Sequence, residues 1–247
     1  MVDVSPAILK KVADRFNELY QKNTSITVIM RQISRGTATY DTANRYAIAV
    51  GEMLRTAFRE ITQTELPNGR MYYNIAQKVL LPPLQNSYNL IAAVTAQIQR
   101  QMNEAAGMQL DAVIPPINTS RVEGFVRKVS EAEYFDDARW MLQEPVINYS
   151  QSVVDEFIQE NARFQQQAGL SPQITRKVVN GCCSWCRAMA GTYEYADAPP
   201  DIYRRHEYCR CTVEYDPGDG RRQNVHTKQW EDPQEAAERE VRRTYGL

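Results

Sequence analysis

The sequence has no surplus of charge: 29 Lys and Arg stand against 30 Asp and Glu, a formal net charge of −1. No global attraction to nucleic acid or to an anionic membrane follows from that balance. Long apolar runs are also missing, since the longest are too short or too charged to span a bilayer. The N-terminus lacks the basic start of a signal peptide, and the stretch from Ile8 to Tyr20 is interrupted by Lys10, Lys11, Asp14, Arg15 and Glu18. A soluble chain with no membrane partner is the expectation. No Walker loop, no H-E-x-x-H and no G-x-S-x-G occurs, which removes the commonest motif-bearing enzyme classes. Finally, the first 181 residues contain no cysteine, so this long stretch holds neither a disulfide scaffold nor a cysteine metal site.

What the chain does have is helical periodicity over its first two-thirds. Ser5-Pro6 reads as a helix start, with Ser as N-cap and Pro at the first helical position. Ile8, Val12, Phe16, Leu19 and Tyr20 follow at helical spacing. Asp41 is a candidate cap for a second helix carrying Ile48, Leu54, Phe58 and Ile61. After the turn signal Leu66-Pro67-Asn68-Gly69, a long pattern runs from Arg70 to about Ala106. Pro82-Pro83 is expected to break or kink it, because neither proline donates a backbone hydrogen bond. Further helices are expected from Thr119 or Ser120, and from Val146 to Gln167, where Pro145 marks a kink or a start.

The character changes after Gly169. Ile174 to Val179, Thr192 to Tyr195 and Cys211 to Tyr215 are short strand candidates. The expected organisation is a mainly α N-terminal domain, an elongated helical bundle, over residues 1–169. A small α+β zinc-binding module follows over 170–220, then a tail with a short helix over 221–247.

All five cysteines, Cys182, Cys183, Cys186, Cys209 and Cys211, fall in that module, as does one of the two histidines, His206. Cys183 and Cys186 form C-x2-C; His206 and Cys209 form H-x2-C after an intervening 19 residues. Two tight pairs joined by a short β segment suit a tetrahedral zinc ion. A structural ion can supply on the order of 10 kcal/mol of folding free energy to a module with little core. Six donors compete for four places. Cys182 and its neighbour Cys183 are not expected to face one ion together, whereas Cys209 and Cys211 alternate along a strand and can point the same way. The preferred set is Cys183, Cys186, His206 and Cys209, with Cys211 as the alternative ligand. Reduced structural thiols and a disulfide or redox pair are the competing readings of the cluster.

The stretch Cys183-Ser-Trp-Cys186-Arg-Ala-Met-Ala-Gly191-Thr-Tyr-Glu-Tyr195, with Arg204-Arg-His206-Glu-Tyr-Cys209-Arg-Cys211-Thr-Val, resembles the C-terminal module of bacteriophage head morphogenesis (minor head) proteins. Asn224 to Trp230 is similar to a tail of minor capsid proteins from prophages of Gram-positive bacteria. The resemblance spans residues 178–230 and does not reach the helical part. It implies a virion component, made in the host cytoplasm and placed at the portal vertex or capsid interior. It also implies partners among portal and major capsid subunits, several copies in one assembly, and a part in head morphogenesis, genome packaging or delivery.

Two further readings belong beside this one. Tyr193, Tyr195, Tyr203, Tyr208 and Tyr215, with Arg204, Arg205, Arg210, Arg221 and Arg222, have the composition of a DNA-contacting surface for packaged double-stranded DNA. Acidic and basic residues nevertheless balance over 171–247, so packing and protein contact, with Trp185 and Trp230 as anchors, is the better use of these aromatics. His226 beside Asp219 or Asp232 is the one candidate catalytic base, and the alternative function is a phage-encoded nuclease or toxin-like effector with a zinc-stabilised core. No catalytic set accompanies His226, so a non-enzymatic protein is expected.

Overall fold

A computed structural model describes residues 3–217. It is mainly helical, with a three-stranded sheet and a Cys/His cluster near the C-terminal end of the described chain.

The helices follow from apolar spacing and from their caps. Helix α1 (Ser5–Lys22) buries Ile8, Val12 and Phe16 on one stripe. Its start is held by Asp3, whose carboxylate accepts from the Ser5 amide at 3.0 Å and the Ser5 hydroxyl at 2.5 Å. Ser5 is thus already helical rather than the cap, because a stronger acceptor lies two residues upstream. Helix α2 (Thr24–Ser34) begins at Asn23, whose side chain accepts from the Ile26 amide, and buries Ile26, Ile29 and Ile33. The expected Asp41 cap is replaced one turn-edge earlier: Thr39 and Thr42 form a capping box, and α3 (Tyr40–Phe58) carries Asp41 in its first turn.

Helix α4 (Tyr73–Ala105) runs through Pro82 and Pro83 without ending, so of the expected break or kink the break does not occur. Two interior prolines cost roughly 3 kcal/mol each. Val79, Leu80 and Leu84 on either side are fully buried, and each such burial returns roughly 1.5–3 kcal/mol. Packing therefore offsets the lost hydrogen bonds. Helix α5 (Thr119–Glu131) is capped by Asn118. A single turn α6 (Phe135–Ala138) leads to α7 (Glu144–Gln167), which has Pro145 in its first turn. Helix α3 lies at the centre, packed against α1, α2, α4 and α7. Its approach to α7 is so close that a Cβ on Gly51 would fall 2.9 Å from the Ile147 Cα.

The sheet comprises β1 (Gln173–Lys177), β2 (Gly191–Glu194) and β3 (Thr212–Asp216), in the antiparallel order β2-β1-β3. A short helix α8 (Ser184–Ala188) lies between β1 and β2. Ile174 sits opposite both Tyr193 and Tyr215. Ile174, Val213 and Tyr215 are buried in the same core as the helices, and the Tyr215 ring meets Tyr40 of α3 edge-on at 5.9 Å. The sheet is thus seated on α3 and α7, with its apolar face continuing the helical core.

A second contact between the two parts is polar. Glu144, Asn148, Gln151 and Asp155 recur at helical spacing along α7, and all four are buried. Each holds one point of the segment 205–211. Glu144 pairs with Arg210 at 2.5 Å, and Asn148 donates to the His206 carbonyl at 3.2 Å. Gln151, with its amide oriented to satisfy both partners, donates to the Cys209 carbonyl at 3.0 Å and accepts from Arg205 Nη1 at 2.9 Å. Asp155 receives the Arg205 guanidinium in a two-pronged ion pair at 2.5 and 2.7 Å. This row is an α7 clasp on the loop that carries two of the expected metal ligands.

Candidate metal centre

The C-x2-C half of the site is built by a helix start. Cys183 is the N-cap of α8, and its Sγ accepts from the Cys186 amide at 3.4 Å. That bond turns the two sulfurs toward one point and holds the Cys183 thiol below its usual pKa. Cys183 is exposed, whereas Cys186 is fully buried and its thiol is pushed up to about 12, foremost by burial.

The second half comes from the loop before β3. His206 and Cys209 bracket a turn closed by the Cys209 amide donating to the His206 carbonyl at 3.2 Å. Inside it, Tyr208 adopts φ 59°, a left-handed conformation that residues with side chains seldom take, and the residue is 68% exposed. The His206 ring is oriented by Nδ1, which lies 2.6 Å from the Glu207 carbonyl. With the proton on Nδ1, the Nε2 lone pair points at Cys186 Sγ, 3.1 Å away. Cys209 Sγ lies 3.9 Å from the same sulfur.

Cys186 is therefore the pivot of two overlapping triads. Cys183, Cys186 and His206 have donor atoms within 4.8 Å of one another, and so do Cys186, Cys209 and Cys211. Two sulfurs at about 2.3 Å from a tetrahedral zinc stand about 3.8 Å apart, close to the Cys186–Cys209 separation. Cys and His groups thus lie close enough to hold a metal ion, and the donor types suit a soft or borderline cation. Cys182 belongs to neither triad and packs beside the cluster, half-buried. Both Cys209 and Cys211 are buried, and burial pushes the Cys211 thiol up.

Sequence reading missed Arg176. It lies on β1 two residues after Ile174, on the same inward face, and is only 2% exposed. Its register partners are Gly191 and Val213. Gly191 has φ 149°, and a Cβ there would crowd the Tyr193 side chain, 3.2–3.4 Å away. The Arg176 Nη2 reaches Cys186 Sγ at 3.6 Å and Cys209 Sγ at 3.7 Å, and Nη1 donates to the Ile202 carbonyl. The guanidinium carbon stands 5.1 Å from the centre of the Trp185 ring, which meets the His206 ring edge-on at 6.4 Å. The available signal was the two-residue alternation of Ile174, Arg176 and Val178, which puts a charge in an otherwise apolar row.

Of the arginines offered as a DNA surface, Arg205 and Arg210 are paired with Asp155 and Glu144. Tyr215 is buried in the core. His226, Asp219, Asp232, Arg221, Arg222 and Trp230 lie outside the described residues. No helix among the described residues is long and apolar enough to cross a membrane. Comparison with protein-family models, with curated proteins and with solved structures returned no match.

Proposed function

We propose that the cluster binds one structural zinc ion through Cys183, Cys186, His206 and Cys209, and that the chain is a non-catalytic assembly protein of a bacteriophage head. The observation that carries the first half is the convergence of both Cys/His pairs on the buried Cys186 sulfur. Four protein donors on one ion leave no position for a water, so such a centre staples and does not activate a nucleophile. The second half rests on the resemblance of residues 178–230 to phage head morphogenesis proteins.

In this reading the zinc module closes one end of a helical body, and the body supplies the surface toward portal or coat subunits. Trp140, 55% exposed, lines a cleft with Arg121, Arg127 and Lys128. Exposed tryptophan and arginine are residues that recur at interface hot spots. Packaged DNA is a secondary partner, since two of the module's arginines are already engaged by α7 carboxylates.

Fractionation of purified virions, with mass spectrometry of heads and procapsids, tests the assignment. The chain is expected in both, and a null mutant is expected to give misassembled, underfilled or poorly infectious heads. Absence from heads and procapsids would remove the virion role. Metal-dependent DNA cleavage that disappears with His226→Ala would replace it with the nuclease reading.

A further inference from the structure

Arg176 is a permanent cation with almost no solvent. Among the described residues it forms no ion pair with a carboxylate; its polar contacts are the Ile202 carbonyl and the sulfurs of Cys186 and Cys209. Its Nε is buried without a partner. A buried charge left uncompensated is strongly unfavourable, and Arg205, the other buried arginine of the module, has its own carboxylate in Asp155. Among the described residues, the groups placed to match the charge of Arg176 are the sulfurs that it touches.

Charge counting shows what that cluster has to be. A divalent ion held by three thiolates and a neutral imidazole carries one negative charge in excess, and one guanidinium cancels it. Four thiolates would leave a second negative charge beyond the one that Arg176 cancels. We infer that Arg176 is the resident counter-ion of the metal centre, and that its buried charge selects three thiolates with His206 over a set in which Cys211 displaces the imidazole. This rests on the zinc reading above. Arg176 does not coordinate the ion; it is a positioning residue, aimed by Trp185 and the Ile202 carbonyl at the two sulfurs deepest in the site. The central place of β1 in the sheet fixes its distance from them.

The test compares zinc affinities, by competition with a chromophoric chelator, across full-length variants. Arg176→Gln keeps a hydrogen-bond donor and removes the charge; it is expected to weaken zinc binding about 10–100-fold, the usual effect of losing an outer-shell partner of a metal site. Arg176→Lys keeps the charge and is expected to stay nearer the wild type than Arg176→Gln. In a Cys183→His background the ligands carry only two thiolates, so the centre is neutral without help. There Arg176→Gln is expected to cost far less, although Cys183 makes no hydrogen bond to Arg176. Equal losses for Lys and Gln, or an undiminished Gln effect in the Cys183→His background, overturn the inference and leave the zinc site standing. The cobalt-loaded wild type gives an independent readout, since its sulfur-to-cobalt charge-transfer intensity scales with thiolate number. Three thiolates are expected, and four overturn the inference. Wild-type protein that takes up no zinc overturns the underlying reading before any variant is compared.

Discussion

Asp155→Ala is the sharpest perturbation of the joint between the two parts of the chain. Asp155 and Arg205 are each only 4% exposed, and two short hydrogen bonds join them. Solvent screening is therefore weak, and the discount that applies to surface pairs does not. Removing one member of a buried pair costs roughly 3–5 kcal/mol, because the other charge stays behind. At roughly 2–4 °C per kcal/mol for a chain of this size, the melting temperature of the zinc-loaded protein is expected to fall by about 6–20 °C. Asp155→Asn should do nearly as much, since it also strands Arg205. Asp155→Ala combined with Arg205→Met should recover most of the loss, because replacing both charges with apolar groups is often neutral. The surface pair Lys10–Asp14, at 76% and 63% exposed, is the control; Asp14→Ala should change stability by less than about 0.5 kcal/mol. Denaturant unfolding followed by circular dichroism and tryptophan fluorescence gives the numbers. Values within about 1 kcal/mol of wild type for both Asp155→Ala and Asp155→Asn would refute the clasp as a buried electrostatic joint.

Elemental analysis of protein purified without chelator is expected to give about one zinc per chain. Cys183→Ser, Cys186→Ser, His206→Ala and Cys209→Ser should each abolish metal binding or solubility, while Cys182→Ser should be tolerated; damage from Cys211→Ser but not from Cys209→Ser would move the fourth ligand. Zinc affinity should fall as pH is lowered, because protons compete for thiolate and imidazole, and a pH-independent affinity would contradict ligation by these groups. Asp3, held at a pKa of about 2 chiefly by its hydrogen bond from Lys78 and then by Ser5, contributes stability that is present above the ordinary carboxylate range and lost as pH falls toward 2; an Asp3 carboxyl that titrates near 4 by NMR would contradict the α1 cap.

Much of this architecture was readable from periodicity. The helices around Val12, Leu54, Ile91, Phe125 and Phe157 have apolar stripes that only a helix can bury on one side. The Cys/His cluster was readable because cysteine and histidine are scarce elsewhere, so their grouping stands out. Three features were not. The continuation of α4 through Pro82-Pro83 depends on long-range packing that outweighs a local rule. Arg176 looks like a solvent-facing strand residue until the thiols fold over it. Glu144, Asn148, Gln151 and Asp155 form a polar row that, on any helix taken alone, reads as the face toward water; their partners lie some 50–66 residues away in the chain, beyond the reach of local pattern.

That polar row also gives the module's seating an equilibrium consequence. The loop it grips, residues 205–211, is the loop that carries His206 and Cys209, two of the proposed ligands. Ordering the loop on α7 and ordering it around an ion are two bindings to one segment, and coupling of that kind is reciprocal. Whatever factor the ion adds to the docking of the module, α7 must return to the ion's affinity. Zinc titration of Asp155→Ala therefore measures the clasp from the metal's end, and thermal unfolding at graded zinc concentrations measures the metal from the helix's end. The two cycles should close on the same free energy, so that a helix with no donor atom in the site belongs to its thermodynamics.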